Sequence, residues 1–227
     1  MKRKTFLALL LLTVIFPVFG QNLEYLRSAR YFGTFEPIQR ALNYAQVDGS
    51  PYLDEELIMG FVKFNHGDSA QYYLRYNIFT DEMEYLDDEK LYVIKNPNQV
   101  DRLFVNNHNF IYTTYTFRNS SKKGYLEELT TGYMSLYVKH SVDFEERKEP
   151  VSGYDKPTPD RFVSKMPVYY YAIDHGPIIN FENDKTGLET LFQDDYPVIK
   201  NYLKSAKLKL RKQEDLVQLF NYYNSTR

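Results

Sequence analysis

The fold is decided by the stretch QYYLRYNI, residues 71–78, in which apolar and polar side chains alternate. Successive side chains of a β-strand point to opposite faces. Tyr72, Leu74, Tyr76 and Ile78 therefore share one face, and the residues between them share the other. This period of two predicts a strand with one buried face.

The same rhythm extends on both sides of this stretch, in short segments that repeat about every ten residues. Glu82 and Glu84 alternate with Met83 and Tyr85, so we expect the two glutamates to face outward. Polar segments at 66–69, 87–89, 96–98 and 106–109 predict tight turns, and 119–123 predicts a polar loop. The pattern predicts an antiparallel β-meander with strands near 57–64, 71–78, 82–86, 90–94, 100–105, 110–117, 125–129 and 133–141.

Beyond the meander the pattern changes twice. Residues 145–161 contain three prolines and many charges, which predict a Pro-rich loop and the one internal boundary. Residues 162–173 and 177–181 predict a further hairpin that turns at 174–176. Apolar residues at helical spacing then predict helices in 182–227, with Asn183 or Asp184 as a cap and Pro197 in a first turn. The predicted fold class is α+β: a curled or barrel-like antiparallel β domain at 51–181 with C-terminal helices packed on it.

The N-terminus has the three-part layout of a secretory signal. Lys2, Arg3 and Lys4 precede an uncharged apolar run, and Pro17 ends it before Gly20. The run is shorter than the about 20 residues that a membrane span requires. We predict a signal peptide at 1–20 with cleavage after Gly20, and no transmembrane segment in the mature chain. Residues 21–50 predict a partly helical segment.

Composition excludes several classes of function. The chain has 28 basic and 30 acidic residues, and removal of Lys2, Arg3 and Lys4 leaves 25 against 30, a net charge of −5. A mildly acidic chain without a basic block argues against nucleic acid as a partner. The absence of cysteine excludes disulfides, thiol catalysis and cysteine metal sites.

Seven short motifs are spread along the chain from residue 19 to residue 224. Together they resemble a group of uncharacterised exported proteins of Bacteroidetes-type bacteria. The resemblance covers most of the mature chain and implies an envelope location, but it implies no activity and no functional residue. The motifs are FGQ at 19–21, SPYL at 50–53, LRYN at 74–77, EMEY at 82–85, NP at 96–97, EDL at 214–216 and NYYN at 221–224.

The residue types that carry chemistry form no recognisable site. The four histidines, His66, His108, His140 and His175, lack zinc-type spacing. No Gly-x-Ser-x-Gly elbow or Gly-rich phosphate loop is present. Adjacent carboxylates such as Glu127 and Glu128 are expected to point to opposite faces of a strand. We therefore predict no catalytic residue, no metal site and no cofactor.

Tyrosine is unusually frequent, with 22 residues against 16 Phe and no Trp. Cross-strand packing explains this abundance, since a tyrosine ring packs while its hydroxyl stays in water. The run Tyr169-Tyr170-Tyr171 permits a second interpretation. At least one of its rings should point away from the core, and the run is our candidate ligand-stacking surface for a sugar or peptide.

Three functions remain open at this point. The first is an exported, non-enzymatic binding or structural accessory of the envelope, located in the periplasm or outside the cell. Its partner would be an envelope protein or a small amphipathic ligand. The second is a carrier of lipid or another small amphipathic ligand in an apolar cavity. The third is a hydrolase whose carboxylates converge only in the fold.

Overall fold

The structure is a computed structural model, which describes Ile38, residues 44–148 and residues 158–227. Twelve strands and three α-helices lie in these ranges, with 3-10 turns at Tyr44–Gln46, Pro97–Gln99 and Gln193–Asp195. The strands are β1 Ile58–Phe64, β2 Ser69–Asn77, β3 Glu82–Asp87, β4 Lys90–Val93, β5 Val100–Val105, β6 His108–Phe117, β7 Ser120–Thr130, β8 Met134–Lys139, β9 Val142–Glu145, β10 Arg161–Ser164, β11 Val168–Ile173 and β12 Ile179–Phe181. The helices are α1 Lys185–Phe192, α2 Tyr196–Ser205 and α3 Gln213–Ser225.

Ten of these strands form one sheet in the order β12-β11-β8-β7-β6-β5-β1-β2-β3-β4. Neighbours in this order are antiparallel, so the predicted α+β fold with a curled antiparallel sheet is confirmed. The strand order departs from a simple meander after β4. After β4 the chain returns to the other side of β1, where β5 pairs with it.

The sheet buries opposite faces in its two halves. In β6 and β7, Phe110 and Tyr125 belong to one core and Tyr115 and Leu126 to another. The first core contains side chains of β1 to β7, and the second those of β6, β7, β8 and β11. Since alternate residues of a strand face opposite ways, the sheet curls in opposite senses on the two sides of the β6–β7 hairpin.

The C-terminal half closes on itself. Strand β12 pairs with β11 and also meets β6 in parallel at Ile179 and Thr116. The interior of this ring is filled by Tyr115, Leu126, Tyr137, Tyr170, Ala172 and Ile178. Its outer face packs against α1, α2 and α3 through Met134, Leu136, Val138, Tyr169 and Phe181.

The chain around the Pro-rich loop differs from the prediction. Glu145 and Arg161 are strand residues that pair with each other, and Lys148 pairs with Thr158. Strands β9 and β10 therefore form a two-stranded ribbon, in which the rings of Phe144 and Phe162 contact each other. Both rings pack against the first core. Residues 149–157 lie outside the described residues.

Two local predictions are wrong. Residues 120–123 extend β7, and they pair with residues 114–117 of β6 instead of forming a polar loop. Glu84 occupies the face opposite Met83 and Tyr85, as predicted, but its exposed fraction is 0%. That face is covered at Glu84 by Arg75, whose guanidinium also stacks on the ring of Tyr52.

The predicted signal peptide at 1–20 lies outside the described residues. The same holds for most of the predicted helical segment at 21–50, of which Tyr44–Gln46 forms a 3-10 turn. In the part of the chain that the structure describes, no helix is both long and apolar enough to cross a membrane.

Four of the strand connections contain two consecutive residues with positive φ. These pairs are Asp88-Glu89, Asn106-Asn107, Arg118-Asn119 and Asp174-His175. This is the geometry of type I′ turns, whose twist matches that of the flanking strands. Glycine and asparagine adopt it at least cost, and β-branched residues at greatest cost.

We expect Asn119→Val to lower the free energy of unfolding by about 1–2 kcal/mol, because valine strains the left-handed backbone at this exposed position. Asn119→Gly should leave it nearly unchanged. Urea titrations followed by circular dichroism measure both variants. Equal stability of the valine and glycine variants would contradict the turn geometry.

Candidate interaction surface

The outward face of the N-terminal half carries a row of apolar side chains across five strands. Direct partners in the register are Met59 with Tyr73 and Phe61 with Phe104. Tyr73 is in turn opposite Leu86, and Leu86 is opposite Leu91. Side chains that are direct partners lie about 4.5–5.5 Å apart at Cβ, and Met59 and Phe61 are two residues apart on the same face of β1, so the row is continuous. We call it the open-face stripe: Phe104, Phe61, Met59, Tyr73, Leu86 and Leu91.

Much of the stripe is exposed to solvent. The exposed fractions are 47% for Met59, 50% for Phe61, 46% for Tyr73 and 40% for Phe104, while Leu86 and Leu91 are half-buried. The first core lies on the opposite face of the same strands. Folding of this half therefore does not require large apolar side chains in the stripe. A contiguous exposed apolar patch of this kind is typical of an interaction site.

Depressions flank the stripe on both sides. One has a volume of about 590 Å³ and is lined by Met59 and Tyr73 together with four carboxylates: Asp68, Asp87, Asp88 and Glu89. We call it the acidic groove. The other has a volume of about 430 Å³ and is lined by Phe61, Phe104 and three asparagines: Asn106, Asn107 and Asn109. The stripe thus has an acidic border on one side and an amide border on the other.

Further along the same face, the apolar row gives way to a buried ion pair. Arg75 Nη2 donates to Glu84 Oε2 at 2.9 Å, and Asn77 Nδ2 donates to Glu84 Oε1 at 3.1 Å. Arg75 Nη1 also donates to the carbonyl of Glu55. These bonds compensate the cost of burying the Glu84 carboxylate.

A second buried carboxylate bridges two histidines, one at the start of β6 and one just after β8. His108 Nδ1 lies 2.7 Å from Glu127 Oε1, and His140 Nε2 lies 2.6 Å from Glu127 Oε2. A carboxylate accepts only, so each of these ring nitrogens carries a hydrogen and donates a hydrogen bond to Glu127. Asp54 lies on the other side of His108, with Oδ2 3.8 Å from Nε2.

This arrangement shifts the pKa values of its members. Burial alone would raise the pKa of Glu127, but the hydrogen bonds from His108 and His140 outweigh it and lower that pKa to about 2. The hydrogen bond to Glu127 raises the pKa of His108, against the opposing effect of burial. Glu127 is therefore a stable carboxylate and not a proton donor near neutral pH.

The neighbouring glutamate has separate partners. Glu128 accepts hydrogen bonds from Arg102 and from Asn109 Nδ2. The prediction that Glu127 and Glu128 face opposite ways agrees with these different partners. Glu84, Glu127 and Glu128 are all buried, and each is bound by a basic side chain.

The tyrosine run does not form one surface. Tyr169 packs with Phe181 in the core beneath the helices, while Tyr170 points into the ring and packs with Tyr115. Both are buried. Tyr171 is half-buried and contributes to a groove of about 360 Å³ beside Phe181 and α1. Of the three predicted residues, only Tyr171 is placed where a ligand could touch it.

Sequence reasoning missed both the stripe and the histidine pair. His108 and His140 are 32 positions apart in the chain, and the register of β6, β7 and β8 brings them to one carboxylate. The signal available in the sequence was the Asn106-Asn107 turn, which places His108 at a strand start. Among the described residues, no three His, Asp or Glu side chains are grouped so as to hold a metal ion.

Comparisons with protein-family profiles, with curated protein sequences and with solved structures found no significant match.

The histidine–glutamate cluster predicts a defined pH dependence of stability. Glu127 has a lowered pKa, so its contribution is present above its ordinary pKa of 4.5 and is lost as the pH falls toward about 2. His108 has a raised pKa, so its contribution is present below 6.5 and is lost as the pH rises through the raised value. The cluster should stabilise the fold most between pH 4.5 and 6.5.

His108→Gln should flatten the fall in stability above pH 6.5, because the glutamine side chain does not titrate in this range. Urea unfolding midpoints measured from about pH 4 to about pH 9 test this expectation. His175→Gln is the matched control, since His175 is exposed in a turn. An unchanged alkaline slope in His108→Gln would show that the cluster does not control this transition.

Proposed function

We propose that the mature protein is an exported, non-enzymatic binding accessory of the cell envelope that holds a polypeptide partner on the open-face stripe. The observation that supports this most is the exposure of Met59, Phe61, Tyr73 and Phe104 in one continuous row. Aromatic residues and methionine are enriched at the cores of protein interfaces. The fold gains no core packing from leaving them in water.

The dimensions of the stripe favour a polypeptide over a small ligand. Five neighbouring strands at a spacing of about 4.8 Å give a row of about 19 Å. The row lies on an open sheet face and not in a closed pocket. An α-helix of about 13 residues covers such a length, because a helix rises about 1.5 Å per residue.

The two other candidate functions have less support. A carrier needs an internal cavity, and the interior of the C-terminal ring is filled by side chains that include Tyr115, Tyr137 and Tyr170. A hydrolase acting through general acid catalysis needs a carboxyl with a raised pKa. The hydrogen bonds of Glu127 lower its pKa to about 2, and Glu84 and Glu128 pair with arginines.

The envelope location rests on residues 1–20 and on the resemblance to exported proteins of Bacteroidetes-type bacteria. Export with cleavage after Gly20 should give a product that begins at Gln21. Intact-mass spectrometry of the protein from the envelope or medium of a producing cell measures this terminus. A product that retains Met1 would overturn the proposed export.

Binding through the stripe can be tested with a random peptide library of about 12 residues displayed on phage, a length close to that of the stripe. Selection on the mature protein, followed by counter-selection on the double variant Phe61→Ser/Phe104→Ser, should enrich peptides that prefer the wild type. Truncating two aromatic anchors should weaken binding at least roughly tenfold.

The matched control is Met166→Ser/Val198→Ser, which removes two exposed apolar side chains elsewhere on the surface. Both variants should keep the circular dichroism spectrum of the wild type, because none of the four side chains is buried. If no enriched peptide distinguishes Phe61→Ser/Phe104→Ser from the control, the stripe is not a binding surface.

A further inference from the structure

Helix α2 and its connection to α3 carry a concentration of basic side chains. Residues 200–212 contain six basic residues and no acidic residue, although no more than two of the bases are adjacent in the sequence. All six are exposed to solvent. We call them the basic patch: Lys200, Lys204, Lys207, Lys209, Arg211 and Lys212.

The fold keeps these bases in water while their apolar neighbours pack. Lys200 and Lys204 are about one helical turn apart on α2, so they lie on the same side of the helix. Lys207 follows at the end of α2, where its amide donates to the carbonyl of Lys204. Leu208 and Leu210 are half-buried against the core beneath the helices. These leucines hold the connection in place, and the basic side chains between and beside them remain exposed.

Neither ion pairing nor the helix dipole accounts for the basic patch. Among the described residues, none of its six side chains forms an ion pair. Lys204 lies in the last turn of α2 and complements the dipole there, but this reason does not extend to Lys209 or to the bases after it.

The patch is the positive part of an otherwise acidic protein. The next acidic residues along the chain are Glu214 and Asp215 in the first turn of α3, and Asp215 accepts a hydrogen bond from the amide of Lys209. Residues 200–215 have a net charge of +4 with both acids included. The rest of the mature chain has 19 basic and 28 acidic residues, a net charge of −9.

We infer that the basic patch holds the protein against an anionic lipid surface. Clusters of about four to eight Lys and Arg side chains are attracted to negatively charged lipid headgroups. Each base within a Debye length of such a surface, about 10 Å in 0.1 M salt, increases membrane partitioning about fivefold. This inference goes beyond the proposed function, because the open-face stripe takes no part in it.

The composition and shape of the patch favour a lipid surface over other anions. Five of its six bases are lysine, which is depleted at protein interfaces, whereas arginine is enriched there. None of the six lines any of the three depressions described above, so these depressions do not direct them at a free phosphate. A bilayer presents many phosphates in one plane, which dispersed and exposed side chains can approach together.

Sedimentation with phospholipid vesicles tests this inference. In about 0.05 M salt, the mature protein should partition at least roughly tenfold more strongly onto phosphatidylcholine vesicles that contain about 30% phosphatidylglycerol than onto phosphatidylcholine alone. In about 0.5 M salt the two values should agree within roughly twofold, because salt screens the attraction. Equal partitioning onto both vesicle types at low salt would overturn the inference.

The quadruple variant Lys200→Gln/Lys204→Gln/Lys207→Gln/Lys209→Gln should lose at least roughly tenfold in partitioning onto the anionic vesicles. The matched control, Lys90→Gln/Lys95→Gln/Lys122→Gln/Lys123→Gln, removes the same number of exposed bases elsewhere and should retain most of it. Both variants should keep the circular dichroism spectrum of the wild type, because all eight side chains are exposed. Equal losses would assign the effect to net charge and overturn the inference.

Two further measurements separate this inference from the proposed function and from other partners. Phe61→Ser/Phe104→Ser should bind anionic vesicles like the wild type, even where it loses peptide binding. Loss of vesicle binding in this variant would move the lipid contact to the stripe and overturn the inference. Binding of a Glu-rich peptide or a DNA duplex by the wild type, without binding to anionic vesicles, would assign the basic patch to another polyanion and would overturn it as well.

Discussion

The structure depends on the β6–β7 hairpin, which joins the two longest strands of the sheet, because side chains on both of its faces enter a core. One face supplies Phe110 and Tyr125 to the first core, and the other supplies Tyr115 and Leu126 to the second. Loss of its register would expose both cores at once, since a shift of one residue moves every side chain to the opposite face. At Gly124 a side chain has no room, since a Cβ would collide with the carboxylate of Asp81. The same carboxylate accepts hydrogen bonds from Lys139 and Tyr76 and so ties β2 to β8.

Among the described residues, two of the three buried carboxylates, Glu127 and Glu128, lie on β7, where the two halves of the sheet meet. Glu127 lies on β7 between Tyr125 of the first core and Leu129, which packs against the core beneath the helices. A carboxylate at such a junction is costly unless it is fully hydrogen-bonded. The two histidines meet this requirement from β6 and from the end of β8. Buried ionisable groups often mark active sites, but here their partners account for the burial.

The sequence predicted the secondary structure of the N-terminal half well, because the period of two is unbroken there and each turn has its own polar residues. β5 was predicted with its observed bounds, and β1 to within one residue. The closure of the ring was not predictable, since it depends on the pairing of β12 with β6 at Ile179 and Thr116, which are far apart in the chain. Glu84 shows a related limit of prediction from sequence. Alternation assigns a side chain to a face, but only long-range packing decides whether that face is exposed. The stripe was missed for the same reason, because Phe61 and Phe104 are 43 positions apart and become neighbours only when β5 pairs with β1.

The two halves cover their outer faces in different ways, and this difference connects the fold to the proposed function. In the C-terminal half the outer face is apolar and is covered by α1, α2 and α3, with Leu216, Leu219 and Phe220 fully buried against it. Asn224 fixes this cover, because its side chain bonds both the amide and the carbonyl of Met134. In the N-terminal half the outer face is also apolar along the stripe, yet Phe61 and Tyr73 remain about half exposed. A partner helix on the stripe would give this half the kind of cover that the chain itself provides for the other half. A partner in trans would differ from α1–α3 in one respect, since its affinity and its selection would have to come from the surface of the stripe itself.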